Sequence, residues 1–399
     1  MAPLFRADQI GSLIRPAALR SARESRTIYS DHLDQDSALE QVTRASISAA
    51  VQQQLSLGIR PLTSGEFERT IFFSGLFENL TGMTADPAVP VPDGFATGLP
   101  LSKFLQGIGV KTQPAVVATG KIRREKPAYL DAWNMLKATV PEELWAECKM
   151  VLPAVTWQHL QLRAGTAYTA EAYGSDEEYF EDLTKAYRAE IRELYDAGLR
   201  NIQIDDPQLL YLTTDMFLDG CKADGGDPEK LLDLYIRAHN ACLEGKPDDL
   251  HIGVHFCKGN MPGGKGLCDA SYERISQRLF SELGYETFYL EFDDERSGTF
   301  EPLRHVPVGK SVVLGVVSTK TAVMEDIDVL AKRVEEAAAV IASSQERPAA
   351  DVLQDTLAVS PQCGFSSSTR GHRPVNEEGM WEKLVLLRDL ARKLWKDAI

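Results

Sequence analysis

The distribution of apolar and polar positions divides most of this chain into short buried strands and longer amphipathic helices. Residues 150–153 and 312–317 contain only apolar residues and glycine. Uninterrupted apolar runs of this length are typical of parallel strands that are covered on both faces. Residues 37–57 instead repeat their apolar side chains at helical spacing, as do residues 175–195. The chain therefore alternates between strands and helices.

Counting the runs gives eight strands, and most are followed by a helix. Strand–helix alternation of this kind indicates either a doubly wound sheet or an α/β barrel, and eight strands favour a (β/α)8 TIM barrel. In such a barrel the functional side chains lie at the carboxyl ends of the strands. The predicted strands are residues 4–9, 61–66, 148–153, 200–205, 251–256, 287–291, 311–317 and 355–361.

One segment interrupts the alternation. Prolines and glycines are concentrated near residues 84–104, which predicts an insertion or loop, and residues 114–120 resemble one strand of a hairpin. We find no repeat and no linker that divides the chain. A single barrel domain over residues 1–399 is therefore expected.

Composition narrows the class of protein. The chain has 399 residues, 44% of them hydrophobic, and a formal net charge of -15, which argues against nucleic acid or an anionic membrane surface as a partner. No apolar run is long enough to cross a bilayer, and the first residues do not resemble a signal peptide. The six cysteines are scattered, which favours a reduced, cytoplasmic setting. An oligomer is compatible with all of this.

Polar residues able to support chemistry recur at the predicted strand ends. Because these ends meet at one mouth of a barrel, we expect the side chains to converge there. Each one alone has an ordinary structural explanation, such as a helix cap or a buried core residue. The set comprises Ser12, Glu66, Thr156, Asp205, His255, Cys257, Glu291, Ser318 and Cys363.

His255 and Cys257 are the most informative pair. They lie two positions apart at a strand end, so their side chains point to the same side of the chain. Both are good ligands for zinc. Glu291 and Cys363 close two later strands and are candidate partners. We interpret these residues as a zinc site, assembled from three strands, that activates a thiol.

The chain resembles the catalytic barrel of cobalamin-independent methionine synthase, and most closely its short, single-barrel members. The matching segments are Ile10–Ser12, Gly65–Glu66, Ile202–Pro207, His255–Cys257, Glu291 and Cys363–Gly364. The resemblance implies that His255, Cys257, Glu291 and Cys363 hold zinc. It also implies that Ser12, Glu66 and Asp205 bind the amino acid part of homocysteine, with Glu66 and Asp205 as the catalytic carboxylates.

The resemblance therefore predicts a zinc-dependent thiol S-alkyltransferase that acts on a small-molecule thiol and an alkyl donor, most simply by methyl transfer to homocysteine. Three departures leave the donor open. There is no room for the second barrel of the folate-dependent enzymes. Their histidine near the end of the seventh strand is replaced by the segment Ser318–Lys320. Their folate-contacting segment is matched only by Thr156 and Trp157, of which Trp157 is a candidate to stack on a flat substrate ring.

Two other hypotheses stay open. A related barrel, the epoxyalkane:coenzyme M transferase, uses a zinc thiolate to open an epoxide and needs cations for a sulfonate. The candidate cations near strand ends are Arg6, Lys258, Arg296, Arg370 and His372. Uroporphyrinogen decarboxylase also resembles this barrel, but a metal-free decarboxylase would not need His255, Cys257 and Cys363 together. A purely structural zinc is disfavoured because such sites use cysteine-rich sets with short local spacing.

Overall fold

A sheet of six parallel strands, each hydrogen-bonded to the next in chain order, forms most of the barrel wall. The computed structural model describes residues 3–29, 37–91, 99–259, 271–369, 374–396 and 398. The predicted bounds of these six strands are reproduced within two residues. The strands are β3 (Met150–Pro153), β4 (Asn201–Asp205), β5 (His251–Phe256), β6 (Thr287–Glu291), β7 (Ser311–Val317) and β8 (Leu357–Pro361).

The first two predicted strands close the barrel, but each makes only one bridge. Ala7 lies parallel to Val359 of β8, and Leu62 lies parallel to Cys148 beside β3. Between the two segments, the Gln9 side chain donates a hydrogen bond to the Pro61 carbonyl over 2.5 Å. The prediction of regular strands over 4–9 and 61–66 was wrong. Pro61 has no N–H for a ladder, and residues 65 and 66 turn sharply through positive φ.

Helices separate the barrel strands and cover the sheet. Ser175 accepts a hydrogen bond from the Glu178 N–H, which confirms the N-cap of the helix predicted over residues 175–195. The helices are α1 (Ala17–Ala22), α2 (Ser37–Leu57), α3 (Pro100–Gly107), α4 (Leu130–Lys137), α5 (Trp157–Leu162), α6 (Asp176–Asp196), α7 (Asp215–Ala223), α8 (Pro228–Leu243), α9 (Glu273–Glu282), α10 (Ile327–Gln345), α11 (Ala349–Asp355) and α12 (Glu377–Leu394). Short 3-10 turns occupy Phe77–Asn79, Glu142–Glu147, Leu209–Thr213, Glu295–Ser297 and Glu301–His305.

The predicted insertion is present, but much of it is not a loop. It begins with an antiparallel hairpin of β1 (Thr81–Pro90) and β2 (Thr112–Arg123), which confirms the hairpin strand inferred from residues 114–120. Helix α3 lies between the two strands in sequence. Residues 92–98 of the predicted loop lie outside the described part of the chain.

A buried polar layer ties the barrel wall together below the mouth. The Lys149 ammonium pairs with Asp8 over 2.6 Å and donates to the Gln203 side-chain oxygen over 2.8 Å. Asp8 also accepts a hydrogen bond from the Tyr289 hydroxyl over 3.0 Å. Asp8 belongs to the segment 4–9, Lys149 directly precedes β3, and Gln203 and Tyr289 lie in β4 and β6. The network therefore links several strands across the barrel. Nowhere in the described residues is there a helix with the length and apolar character needed to cross a membrane.

Candidate metal centre

Four side chains from the carboxyl ends of three strands converge at the barrel mouth. One ligand atom from each of His255, Cys257, Glu291 and Cys363 lies within 4.8 Å of every other, and all four residues are buried. The Sγ atoms of Cys257 and Cys363 are 3.3 Å apart. The five described cysteines are free thiols. The spacing of the group therefore suits a single cation.

His255 is held in the form that binds a metal. Its Nδ1–H donates to the Tyr289 carbonyl over 3.2 Å, which leaves Nε2 as the acceptor atom. Nε2 is buried and accepts no hydrogen bond from the described residues. Burial lowers the pKa of His255 to about 3, so the imidazole is neutral at physiological pH. A neutral ring with an unpartnered buried nitrogen is what a divalent cation requires.

The Cys257 thiol needs a nearby positive charge to ionise. The hydrogen bond with Cys363 raises the pKa of Cys257 most, and burial adds to this effect. The Gly259 N–H acts in the other direction, because it donates to Cys257 Sγ over 3.2 Å. Thiolates bind metals, whereas thiols do not. A cation bound between the two sulfurs would supply the missing charge.

Glu291 is fixed through both oxygens. Oε1 accepts the Lys258 backbone N–H over 2.9 Å, and Oε2 accepts from the Lys320 ammonium over 3.0 Å. Burial raises the pKa of Glu291, and the positive charge of Lys320 opposes this shift. Lys320 lies just beyond β7, in the segment Ser318–Lys320 that stands where the family has a histidine, and the sequence alone predicts no role for it.

Ser12 and Gly364 pack against each other beside the candidate ligands. A Cβ atom added to Gly364 would lie 1.9 Å from Ser12 Oγ, so only glycine fits there. Ser12 also accepts the Phe365 N–H at its carbonyl over 3.0 Å. This close contact fixes the chain immediately after Cys363 and therefore the direction of its thiol.

A cavity of about 330 Å³ is lined by Cys257 and Cys363. It is large enough for small-molecule substrates, at the lower end of the range of roughly 300–1,000 Å³ that such pockets span. Leu101 and Leu105 of α3 line it, so the insertion forms part of the wall. The predicted site residues that line it are Ser12, Glu66, Trp157, Asp205, His255, Cys257 and Cys363.

Glu66 reaches the cavity because the chain turns sharply. Gly65 and Glu66 both have positive φ, 69° and 59°, a conformation that costs a residue with a side chain more than it costs glycine. Arg69 pairs with Glu66 Oε1 over 3.0 Å, while Oε2 is buried without a hydrogen-bond donor in the described structure. Burial raises the pKa of Glu66, and the charge of Arg69 lowers it.

Asp205 and its neighbour Asp206 have different surroundings. Asp205 lines the cavity and accepts a hydrogen bond from Gln203 over 2.7 Å. Burial, helped by the charge of Glu66, raises the pKa of Asp205 to about 8. Asp206 is instead bonded to His239 over 3.0 Å and to the Thr156 hydroxyl over 2.9 Å. Thr156 therefore serves this structural cluster, and it does not line the cavity.

Trp157 is one of several aromatic residues in the cavity wall. Phe73 stacks on it with ring centroids 4.4 Å apart and planes 24° from parallel, and Phe72 contacts it edge-on. Trp157 is 5% exposed. One face of the indole is consequently covered by protein.

Three further candidates near strand ends, Ser318, Arg6 and Lys258, are not among the described residues of the cavity wall. Ser318 accepts the Lys320 N–H at its hydroxyl. Arg6 binds the carbonyls of Leu357 and Gln354, at the opposite end of β8 from the mouth. The Lys258 ammonium lies 4.6 Å from the Tyr272 ring centroid. The side chains of Arg296, Arg370 and His372 lie outside the described part of the chain.

Fold and site together define an α/β barrel with a candidate metal centre at the carboxyl ends of its strands. The family model described as "Cobalamin-independent synthase, Catalytic domain" matches residues 174–377. The chain belongs to this cobalamin-independent methionine synthase family. Membership of the family supports transferase activity and implies methyl transfer to a thiol.

Relatives that match almost the whole chain support this assignment. The Bacillus subtilis protein YxjG is 30% identical over 397 residues, covering 99% of this chain and 96% of that protein. A crystal structure of a putative vitamin-B12 independent methionine synthase from Listeria monocytogenes is 26% identical, covers 99% of both chains and has a TM-score of 0.67. The fold is also that of a B12-independent methionine synthase from Shewanella sp. W3-18-1 in complex with selenomethionine, at 20% identity, 99% coverage of both chains and a TM-score of 0.70.

Longer relatives match over a smaller part. The 5-methyltetrahydropteroyltriglutamate–homocysteine methyltransferase of Bradyrhizobium diazoefficiens is 22% identical over 255 residues. That region is 64% of this chain but only 28% of the Bradyrhizobium protein. The folate substrate in that protein's name is therefore not carried over to this chain.

Proposed function

We propose that this protein is a zinc-dependent thiol S-methyltransferase whose acceptor is homocysteine or a similar small thiol. The observation that carries the proposal is the convergence of His255, Cys257, Glu291 and Cys363 beside a cavity that also contains Glu66 and Asp205. Two thiols, a carboxylate and a neutral imidazole form a donor set suited to zinc. Ligands split between distant strands, with an adjoining cavity, suit a catalytic site better than a structural one.

Bound zinc would act as a Lewis acid that lowers the pKa of an incoming thiol and keeps it ionised near neutral pH. The protein's own residues would orient the substrate. Glu66 and Asp205 suit an ammonium group, because they are carboxylates at the wall of a buried cavity. Ser12 lines the same cavity and suits the remainder of the amino acid.

The cavity wall offers the methyl donor an apolar surface. Phe72, Phe73, Trp157 and the two leucines of α3 line the same cavity as the thiols. A donor held there would bring its methyl carbon toward the sulfur with little water present. Trp157 remains a candidate contact for the donor through the part of its ring that Phe73 leaves uncovered.

We further propose that residues 1–399 act as one domain. The proposal is supported by one continuous apolar core that contains both barrel residues and Ala115, Val116 and Ala118 of the insertion hairpin. A reduced, cytoplasmic setting remains a prediction, with which the free described cysteines agree.

The alternative hypotheses draw less support from the site. A metal-free decarboxylase acting on several carboxylates needs basic residues, but the described lining of the cavity contains no lysine or arginine. The same feature disfavours a sulfonate-bearing thiol in the described part of the cavity. Homocysteine, which carries an ammonium group, fits the two carboxylates better.

The direct test combines metal analysis with an assay for methionine. Purified protein should contain about one zinc per chain. It should consume homocysteine and form methionine with at least one donor from a panel of 5-methyltetrahydrofolates, methylcobalamin and sulfonium compounds. Full activity in a zinc-free preparation would refute the metal hypothesis. No turnover of homocysteine with any donor would refute this acceptor, and the same panel with epoxides and other thiols would test the alternative.

A further inference from the structure

We propose that Lys320 is a positioning residue that moves between Glu291 and Asp293, and that it thereby controls whether Glu291 holds the metal or gives its place to the incoming thiol. This inference rests on the proposed zinc site. It goes beyond that site because it assigns a role to two residues that are not candidate ligands.

The geometry places one cation between two buried carboxylates. The Lys320 ammonium is 3.0 Å from Glu291 Oε2 and 3.9 Å from Asp293 Oδ1. The side chains are 8% exposed for Lys320, 0% for Glu291 and 1% for Asp293. Little water can reach this group, so each carboxylate depends on the single ammonium for its stabilisation.

Asp293 accepts fewer hydrogen bonds than Glu291 within the described structure. Both of its oxygens are buried and accept no hydrogen bond from the described residues. Glu291, in contrast, has the Lys258 N–H on Oε1 in addition to Lys320 on Oε2. Asp293 therefore has unused acceptor capacity beside the lysine, and Lys320 needs to move by only about 1 Å, the difference between the two distances, to reach it.

Metal binding to Glu291 would favour that movement. A divalent cation at the four ligands repels the ammonium and competes with it for the same carboxylate. Lys320 then has a second partner in Asp293, so its charge is not left unpaired. Asp293 thus lowers the cost of placing Glu291 on the metal, while Lys320 raises it.

Arrival of the thiol would reverse the movement. An incoming thiol would lose its proton to water and take the place of the Glu291 carboxylate beside His255, Cys257 and Cys363, so one anionic ligand would replace another. The released Glu291 is fully buried and would be costly without a partner. Lys320 returns to it and supplies that partner, which makes the exchange of ligands reversible.

The test is a measurement of zinc affinity by competition with a chelator, in the absence of any thiol. Lys320→Met should bind zinc about tenfold more tightly, because the competing cation is gone, and Asp293→Asn should bind it about tenfold more weakly, because Lys320 is confined to Glu291. Lys320→Arg should remain close to the unaltered protein. Lys310→Met is the matched control, since Lys310 lies at the other end of β7 and its ammonium binds the Tyr285 carbonyl.

A second readout follows the ligand exchange itself. In the cobalt-substituted protein, homocysteine should increase the thiolate-to-cobalt absorption, and Lys320→Met should need about tenfold more homocysteine to reach the same change. Circular dichroism identifies any variant that has not folded, and Lys320→Arg and Asp293→Asn keep the test informative if Lys320→Met does not fold.

The outcomes separate this inference from the proposed function. Equal zinc affinities in all variants, or shifts in the same direction for Lys320→Met and Asp293→Asn, would overturn the role of Lys320 while leaving the zinc site intact. Failure of the unaltered protein to bind zinc would overturn the site itself, and the inference with it.

Discussion

The Sγ atoms of Cys257 and Cys363 lie 3.3 Å apart although 106 positions separate them in the sequence. Cys257 follows β5 and Cys363 follows β8, and these two strands are not neighbours in the sheet. The contact therefore spans the mouth of the barrel. A metal held there would link the ends of two strands that are not directly paired in the described sheet.

Replacing one of these thiols should abolish zinc binding. Cys363→Ser removes a thiolate ligand, so zinc content should fall from about one per chain to below about one tenth. Because a ligand that binds only the folded state stabilises it, at a zinc concentration about 1,000 times the dissociation constant the loss is about 4 kcal/mol. Elemental analysis and thermal unfolding with and without a chelator measure both effects.

Cys242→Ser is the control for that experiment. Cys242 is also a buried free thiol, but it lies in α8 and is not one of the clustered ligands. It should retain zinc and the stabilisation that zinc provides. Equal zinc content in Cys363→Ser and the unaltered protein would contradict the ligand assignment.

The positions of the candidate ligands could be anticipated because they depend on backbone periodicity. His255 and Cys257 are two residues apart at a strand end, and parallel strands in a barrel present all their carboxyl ends at one mouth. Apolar runs located the strands, so the ligands followed. The segments containing Ala7 and Leu62 were harder to predict, because each makes a single bridge within the described structure. In the second segment, Pro61 and the turn at Glu66 interrupt the pairing.

Other features depend on side-chain directions that no local pattern encodes. The pairing of Lys320 with Glu291 joins the ends of two neighbouring strands, and a lysine after a strand is usually solvated. The packing of Gly364 against Ser12 depends on a contact between the two ends of the chain. The placement of α3 over the cavity could not be derived from a segment rich in proline and glycine.

A side chain at Gly364 should displace the Cys363 thiol. In Gly364→Ala the new methyl group would lie 1.9 Å from Ser12 Oγ, so either segment must shift. We expect about tenfold weaker zinc binding, since the neighbouring ligand moves with its backbone. Zinc affinity measured by chelator competition tests this expectation.

A second substitution should partly restore zinc affinity in that variant. Ser12→Ala removes the hydroxyl, after which the nearest Ser12 atom to the added methyl group is Cβ, at 3.1 Å. The double variant Ser12→Ala, Gly364→Ala should therefore bind zinc more tightly than Gly364→Ala alone. Additive or worse effects of the two changes would show that this contact does not position Cys363.

The buried ion pair below the mouth should be important for stability. Lys149→Met leaves the Asp8 carboxylate buried without its cation, and breaking such a pair from one side typically costs about 3–5 kcal/mol. The double variant Asp8→Asn, Lys149→Met should lose less, because it removes both charges. Urea unfolding followed by tryptophan fluorescence measures the free energy of unfolding. Equal losses in the two variants would contradict the explanation by an unpaired charge.

The pKa of Asp205, raised to about 8, predicts that binding of an amino acid releases a proton. At pH 7 roughly nine tenths of a carboxyl with this pKa is protonated. An ammonium group placed beside Asp205 favours the ionised form, so its pKa falls and the proton leaves. At pH 9 Asp205 is already ionised, and the release should disappear. The raised pKa also affects the free energy of unfolding, with a sign opposite to that of an ordinary aspartate. The contribution of Asp205 to stability is fully present below the unfolded pKa of about 3.9 and is lost as the pH rises through about 8.

Calorimetric titration with methionine at pH 7, in buffers with different heats of ionisation, counts the protons released. Methionine is the better probe than homocysteine, because it has no thiol proton to add to the count. Asp205→Asn should bind methionine more weakly and release about one proton fewer, and any release that remains would belong to Glu66, whose pKa is also raised by burial. Asp182→Asn is the matched control. Asp182 lies on α6, away from the cavity lining, and its carboxylate accepts a hydrogen bond from the Tyr173 hydroxyl. An unchanged proton count in Asp205→Asn would place the ammonium group elsewhere.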